Sequence, residues 1–235
     1  MSHAATWSEP RTVSAAGGRA LSGRGLVMAV KDQWTLIHAE RDALATDLAG
    51  LDAAQWQSPS MCEQWTVREV LAHMTATAAM TPVMFFGKLL GSGFNFAAMS
   101  SKGVQGELGG STAETLAHFR AHASSTTSPP GPVDSWVGET IVHAEDIRRP
   151  LGIAHTYSPA AVLLVADFYK GSNLLIHAKN RIAGVTLRAT DVNWSHGSGP
   201  EVTGPLFSLV LAMTGRKAAL DDLEGPGVEL LRSRD

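Results

Sequence analysis

In the stretch Val137-Gly-Glu-Thr-Ile-Val-His143-Ala-Glu-Asp146, the carboxylate of Glu139 and the imidazole of His143 stand four residues apart. Side chains at that spacing share one face of a helix. Earlier in the chain, Thr66-Val-Arg-Glu-Val-Leu-Ala-His73 carries a second imidazole on a second expected helix. Two His and one Glu from neighbouring helices can hold a divalent metal and leave one coordination position open to a reacting molecule. His73, Glu139 and His143 are therefore the candidate ligands. Asp146 falls on the same side and can orient a ligand histidine from behind, whereas Glu145 points away toward solvent. The plainer alternative is that Glu139 and His143 form only a hydrogen-bonded pair on a helix surface.

The elements that must position these groups follow from apolar spacing. Trp34, Ile37, Leu44, Leu48 and Leu51 predict a helix over 31–50, and 52–60 reads as a loop. Thr66 with Glu69 is a capping box. Val67, Val70, Leu71 and Met74 give its helix an apolar face, and the helix runs to about Thr81 before Pro82. Residues 87–111 are glycine-rich and read as a long loop or a broken helix, of the kind that covers a site. A third helix spans 111–123, and 124–131 is a linker. A fourth helix carries Val133, Trp136, Val137, Thr140, Ile141, Ala144 and Ile147 and stops at Pro150 and Gly152. Ser158-Pro159 opens a helix to about Ala178 that includes Leu175. Beyond Gly184, residues 185–190 alternate like a strand and 194–204 form a turn-rich connection. A short apolar helix spans 206–214, and 227–231 reads as a last strand. At about 100° per residue, His73, Glu139 and His143 each lie at the edge of a buried stripe, where paired helices converge.

Other histidines are weaker candidates. Glu114, His118 and His122 also recur every four residues, but opposite Leu116 and Phe119, on the solvent side of the third helix. His38, His155, His177 and His196 have no evident partner set, and His3 belongs to the N-terminal tail. The His-Glu-x-x-His zinc pattern, a phosphate-binding glycine loop and a Gly-x-Ser-x-Gly elbow are absent from the sequence.

With 44% hydrophobic and 17% charged residues in a chain of 235, a sizeable core is expected. A net charge of -3 gives no electrostatic case for nucleic acid or an anionic membrane. One cysteine, Cys62, rules out an internal disulfide and a Cys-based metal site, and fits a reducing cytoplasm. Residues 1–27 are rich in Ala, Gly, Ser and Arg and read as a disordered tail, with Met28 as a candidate start.

These residues resemble the mycothiol-dependent maleylpyruvate isomerase family. The resemblance rests on Glu40-Arg41 with Leu44, on the run from Cys62 to His73, and on the run from Gly138 to Gly152. It extends to Leu187-Arg-Ala-Thr-Asp191 with Trp194, to Gly199–Pro205, and to Leu211-Ala-Met-Thr-Gly-Arg216. It implies a mainly α fold, a DinB-like four-helix bundle over 28–182 followed by a small α+β domain over 183–235. It also implies a metal, usually zinc, on His73, Glu139 and His143, a catalytic arginine at Arg216, and mycothiol as the thiol cosubstrate. The expected enzyme activates that thiol for attack on a small electrophile, as an isomerase of the maleylpyruvate type or a thiol S-transferase. The competing expectation is a non-catalytic helical module that binds a metal or an apolar ligand.

Overall fold

The computed structural model describes residues 28–174 and 176–234. The expected tail over 1–27, with His3, lies outside the described residues, as does Leu175. The fold is mainly helical, with a small three-stranded sheet near the C-terminus.

Four helices form the body that carries the candidate ligands: α1 (Val30–Asp47), α3 (Val67–Ala78), α6 (Thr112–His122) and α7 (Val133–Arg148). A short α2 (Ala53–Gln57) interrupts the connection that reads as a loop, because Asp52 and Gln55 close a capping box there. α1 packs on α7 and α6, and α3 packs on both α6 and α7. Their inward faces are those expected from the spacing: Ile37 and Leu44 on α1, Val70 and Leu71 on α3, Ile141 and Ile147 on α7, all buried. α3 starts at the expected box. The Glu69 carboxylate accepts from the Thr66 backbone N–H at 2.8 Å, and the Thr66 hydroxyl accepts from the Glu69 N–H. α7 ends before a turn in which Gly152 takes φ +67°, the left-handed conformation that glycine adopts without a Cβ penalty.

Between α3 and α6 the structure decides between the loop and the broken helix that the sequence left open. α3 stops at Ala78 and the chain bends by 120° into α4 (Pro82–Gly91). The Thr81 hydroxyl caps α4 and Pro82 occupies its first turn. α5 (Phe96–Glu107) follows and packs on α3. The glycines of 87–111 leave a long loop and a broken helix as alternatives, and the structure shows the second, two helices separated by 92–95. Two side-chain caps, Thr81 and Asn95, and helix packing outweigh the glycines' roughly 1 kcal/mol cost per residue.

In the C-terminal part, α8 (Pro159–Tyr169) ends earlier than expected and is followed by a short α9 (Ala178–Arg181). The strands are β1 (Thr186–Ala189), β2 (Ser195–Gly197) and β3 (Glu201–Gly204), so the turn-rich stretch holds two strands. β1 is central, antiparallel to β2 and parallel to β3, with Leu187 opposite Val202. α10 (Leu206–Met213) packs on α8, and α11 (Val228–Arg232) replaces the expected last strand. One continuous hydrophobic cluster runs from Ile37 to Leu231, joining the helical body to the C-terminal part. No single helix among the described residues is long and apolar enough to cross a membrane.

Candidate metal centre and the cleft above it

α3 and α7 bring His73, Glu139 and His143 together. Each offers a ligand atom, and the three atoms lie within 4.8 Å of one another. The two imidazole rings meet edge to face with centroids 4.9 Å apart. Neither oxygen of the buried Glu139 carboxylate accepts a well-directed hydrogen bond. A buried carboxylate so weakly hydrogen-bonded is costly, and a cation is the usual remedy. Burial pushes the Glu139 pKa up, and the charges of His143 and Arg41 with the hydroxyls of Thr77 and Thr140 offset only part of it. Burial also pulls His73 down to about 3, reinforced by His143 and Arg216, which leaves it a neutral imidazole with a free lone pair. Two imidazoles and one carboxylate suit zinc and other borderline divalent ions.

Behind this set lies a second layer. His143 Nδ1 is 2.8 Å from Asp146 Oδ2. A carboxylate only accepts, so Nδ1 carries the proton and Nε2 is left as the donor atom for a metal. Asp146 in turn accepts two hydrogen bonds from Arg216, from Nε to Oδ1 at 3.0 Å and from Nη2 to Oδ2 at 2.6 Å. Burial would raise the Asp146 pKa, but the hydrogen bonds from His143 and Arg216 outweigh it and hold the group at about 2. The Arg216 guanidinium also donates from Nη1 to the Thr214 carbonyl at 3.0 Å. Gly215, at φ +86°, turns the chain from the end of α10 so that Arg216 reaches α7. The C-terminal part is thereby clamped to the ligand helix. Arg216 sits at the site, as expected, but its fork is committed to Asp146 rather than presented to a substrate carboxylate.

Several neighbours escaped the sequence reading. The Trp65 ring lies over His73 with centroids 4.7 Å apart. Ser100 Oγ on α5 is 3.3 Å from His73 Nδ1. The glycine-rich segment does cover the site, as expected, but as a helix. Cys62 comes within the same 4.8 Å reach of His143 and Asp146. That is a second donor set, against the expectation that one cysteine excludes any. Its His143 Nδ1 is already bonded to Asp146, Asp146 is bonded to Arg216 as well, and burial, Asp146 and Glu63 raise the Cys62 thiol pKa. The first set is therefore the better metal site. Glu145, expected in solvent, instead accepts from Arg149 and from the Tyr157 hydroxyl. His155, expected to lack partners, lies 2.8 Å from Glu40. Glu114 and His118 of the rival set turn to Gly110 N–H and to the Glu107 carbonyl, and that set does not converge among the described residues.

Tyr169 on α8 is buried among Glu139, Asp146 and Arg216, with its pKa raised mainly by burial. Its hydroxyl rests against the backbone of Gly138, where any Cβ would overlap it. Gly138→Ala should therefore destabilise the protein by about 1–3 kcal/mol, although alanine is the better helix former. Urea denaturation checks this. Combining it with Tyr169→Phe, which removes the overlapping oxygen, should recover part of the loss.

The comparisons follow these features. Residues 37–148 match the family model described as the mycothiol maleylpyruvate isomerase N-terminal domain. A crystal structure of a histidine-to-alanine mutant of the mycothiol-dependent maleylpyruvate isomerase is similar, with TM-score 0.58 at 14% identity. A second crystal structure of the mycothiol-dependent maleylpyruvate isomerase gives TM-score 0.50 at 12% identity. Each covers 85% of this chain and 93% of the other. No curated protein matches the sequence at a significant level. At such identities the structures speak for a shared fold. Residues 37–148 are thus similar to the family of the mycothiol maleylpyruvate isomerase N-terminal domain, and the chain shares the fold of the isomerase structures.

Proposed function

We propose that this protein is a metal-dependent enzyme that activates mycothiol, or a closely similar low-molecular-weight thiol, for attack on a small electrophile. The observation that carries this reading is the convergence of His73, Glu139 and His143, in which neither buried Glu139 oxygen accepts a well-directed hydrogen bond. A divalent metal held there, with zinc the first choice, would supply Lewis acidity that keeps a thiol as its thiolate at neutral pH.

The chain's own residues account for the rest. His73 and His143 would contribute imidazole nitrogens, and Glu139 the charge that lowers the net charge of the centre. Asp146 fixes the His143 tautomer and aims its ring. Arg216 holds Asp146 ionised and in place. Trp65 and α5 cover His73 and limit the access of water. The family suggests the maleylpyruvate type of isomerisation, in which the thiol is returned. A thiol S-transferase would retain it in the product. A reducing compartment, the cytoplasm, suits a thiol cosubstrate. The helical domain over 28–182 would then hold the metal, and the part over 183–235 would supply Arg216.

The test is thiol consumption or isomer formation by metal-loaded, chelator-stripped and zinc-restored protein. Stripping should remove turnover and zinc should restore it. An unchanged rate after stripping would refute metal dependence, and metal binding without turnover on an electrophile panel would favour a binding module.

A further inference from the structure

A cleft of about 370 Å³ opens beside the candidate centre. Its walls include Met61 and Trp65 from the loop before α3, and Phe96 and Ala97 from the first turn of α5. Trp65 and Ser100, which line it, both touch His73, so the cleft borders the ligand set without being lined by any of its three residues. Two charged side chains line it among the described residues, Glu63 and Arg216. Arg216 is neutralised by the two-point pair with the buried Asp146. Glu63 is exposed at the rim, and its negative field reaches the Cys62 thiol inside.

We infer that this cleft takes an uncharged electrophile with an apolar, aromatic-sized body, and that Glu63 is a specificity residue that turns dicarboxylates away. The inference rests on the thiol-activating function proposed above and narrows its substrate class. Trp65 and Phe96 offer ring faces, and flat apolar bodies stack on such faces. A dianion would surrender water next to Glu63, and the guanidinium within reach already spends its charge on Asp146. The matching reaction is conjugation. With an aryl chloride, the thiol sulfur bonds to the ring carbon, chloride leaves with the bonding electron pair, and the thiol proton passes to solvent.

Binding tests this separately from turnover. Calorimetric titration of the full chain, with and without zinc, would use an unreactive dinitroarene and maleate as probes. The wild-type protein should bind the arene at least about tenfold more tightly than maleate. Glu63→Lys should shift that ratio by about tenfold toward maleate, with the shift shrinking in high salt. Tighter binding of maleate than of the arene by the wild-type protein would overturn the proposed substrate class. A ratio unmoved by Glu63→Lys would overturn the role of Glu63. Loss of the metal function alone would leave the arene preference of the stripped protein intact, so failure of the thiol-activation reading remains distinguishable.

Discussion

Replacing His143 by alanine should abolish tight zinc binding and bring thiol-dependent turnover to background, while the helical circular-dichroism spectrum stays that of the wild type. A zinc site worth about 10–16 kcal/mol across its ligands loses on the order of 3 kcal/mol or more with one of them, at least about a hundredfold in affinity. His143 is the strongest choice because it connects both layers of the site. Its ring meets His73, and its Nδ1 is bound to Asp146. The truncation leaves Asp146 paired with Arg216, so the clamp that joins α7 to the C-terminal part survives. His73→Ala should have the same effect on zinc. Equilibrium dialysis with a zinc indicator gives the affinity, and wild-type zinc binding by either variant would remove it from the ligand set.

Asp146→Asn should cost stability and metal affinity together. The carboxylate is fully buried and serves two partners, while Arg216 is only 12% exposed. An amide cannot neutralise Arg216, and breaking one side of a buried pair costs about 3–5 kcal/mol. Loss of the aspartate that orients His143 should weaken zinc binding by about 10–100-fold. The pair also sets an acid limb. Asp146 has a folded pKa of about 2, below the roughly 3.9 of an unfolded aspartate. Its contribution is fully present above about pH 4 and is lost as pH falls toward 2. Urea denaturation between pH 7 and 2.5 should show that loss in the wild-type protein and a flatter profile in Asp146→Asn. Parallel profiles would mean that the Asp146–Arg216 pair contributes nothing to folding.

The candidate ligands were legible because each is written in local code. The capping box of Thr66 and Glu69 fixes where α3 begins, and hence the face on which His73 lies. The four-residue step from Glu139 to His143 needs only a helix, and the buried stripe of α7 provides one. Where Asp146 points followed from the same periodicity. Partners distant in sequence were not legible. Ser100 and Trp65 reach His73 through the packing of α5 and the loop before α3, and no periodicity encodes that meeting. Tyr169 left one trace, Gly138, whose missing Cβ makes room for its hydroxyl. Arg216 was expected at the site on the family resemblance, but its use there depends on a pair with Asp146 seventy positions away. Glycine content leaves the reading of 87–111 open between a loop and a broken helix, because the caps at Thr81 and Asn95 set helices that composition alone disfavours. The last expected strand failed because five residues of mixed spacing cannot separate strand from helix, and Val228–Arg232 forms a short helix that packs on 217–222.

X-ray absorption at the zinc edge of the loaded protein addresses the ligand set most directly. Without added thiol, the first shell should contain two imidazole nitrogens and carboxylate oxygen at about 2.0–2.1 Å and no sulfur. Addition of mycothiol should introduce one sulfur at about 2.3 Å. Sulfur in the shell before any thiol is added would move the metal to Cys62, and a shell with fewer than two imidazoles would break the proposed convergence of His73 and His143.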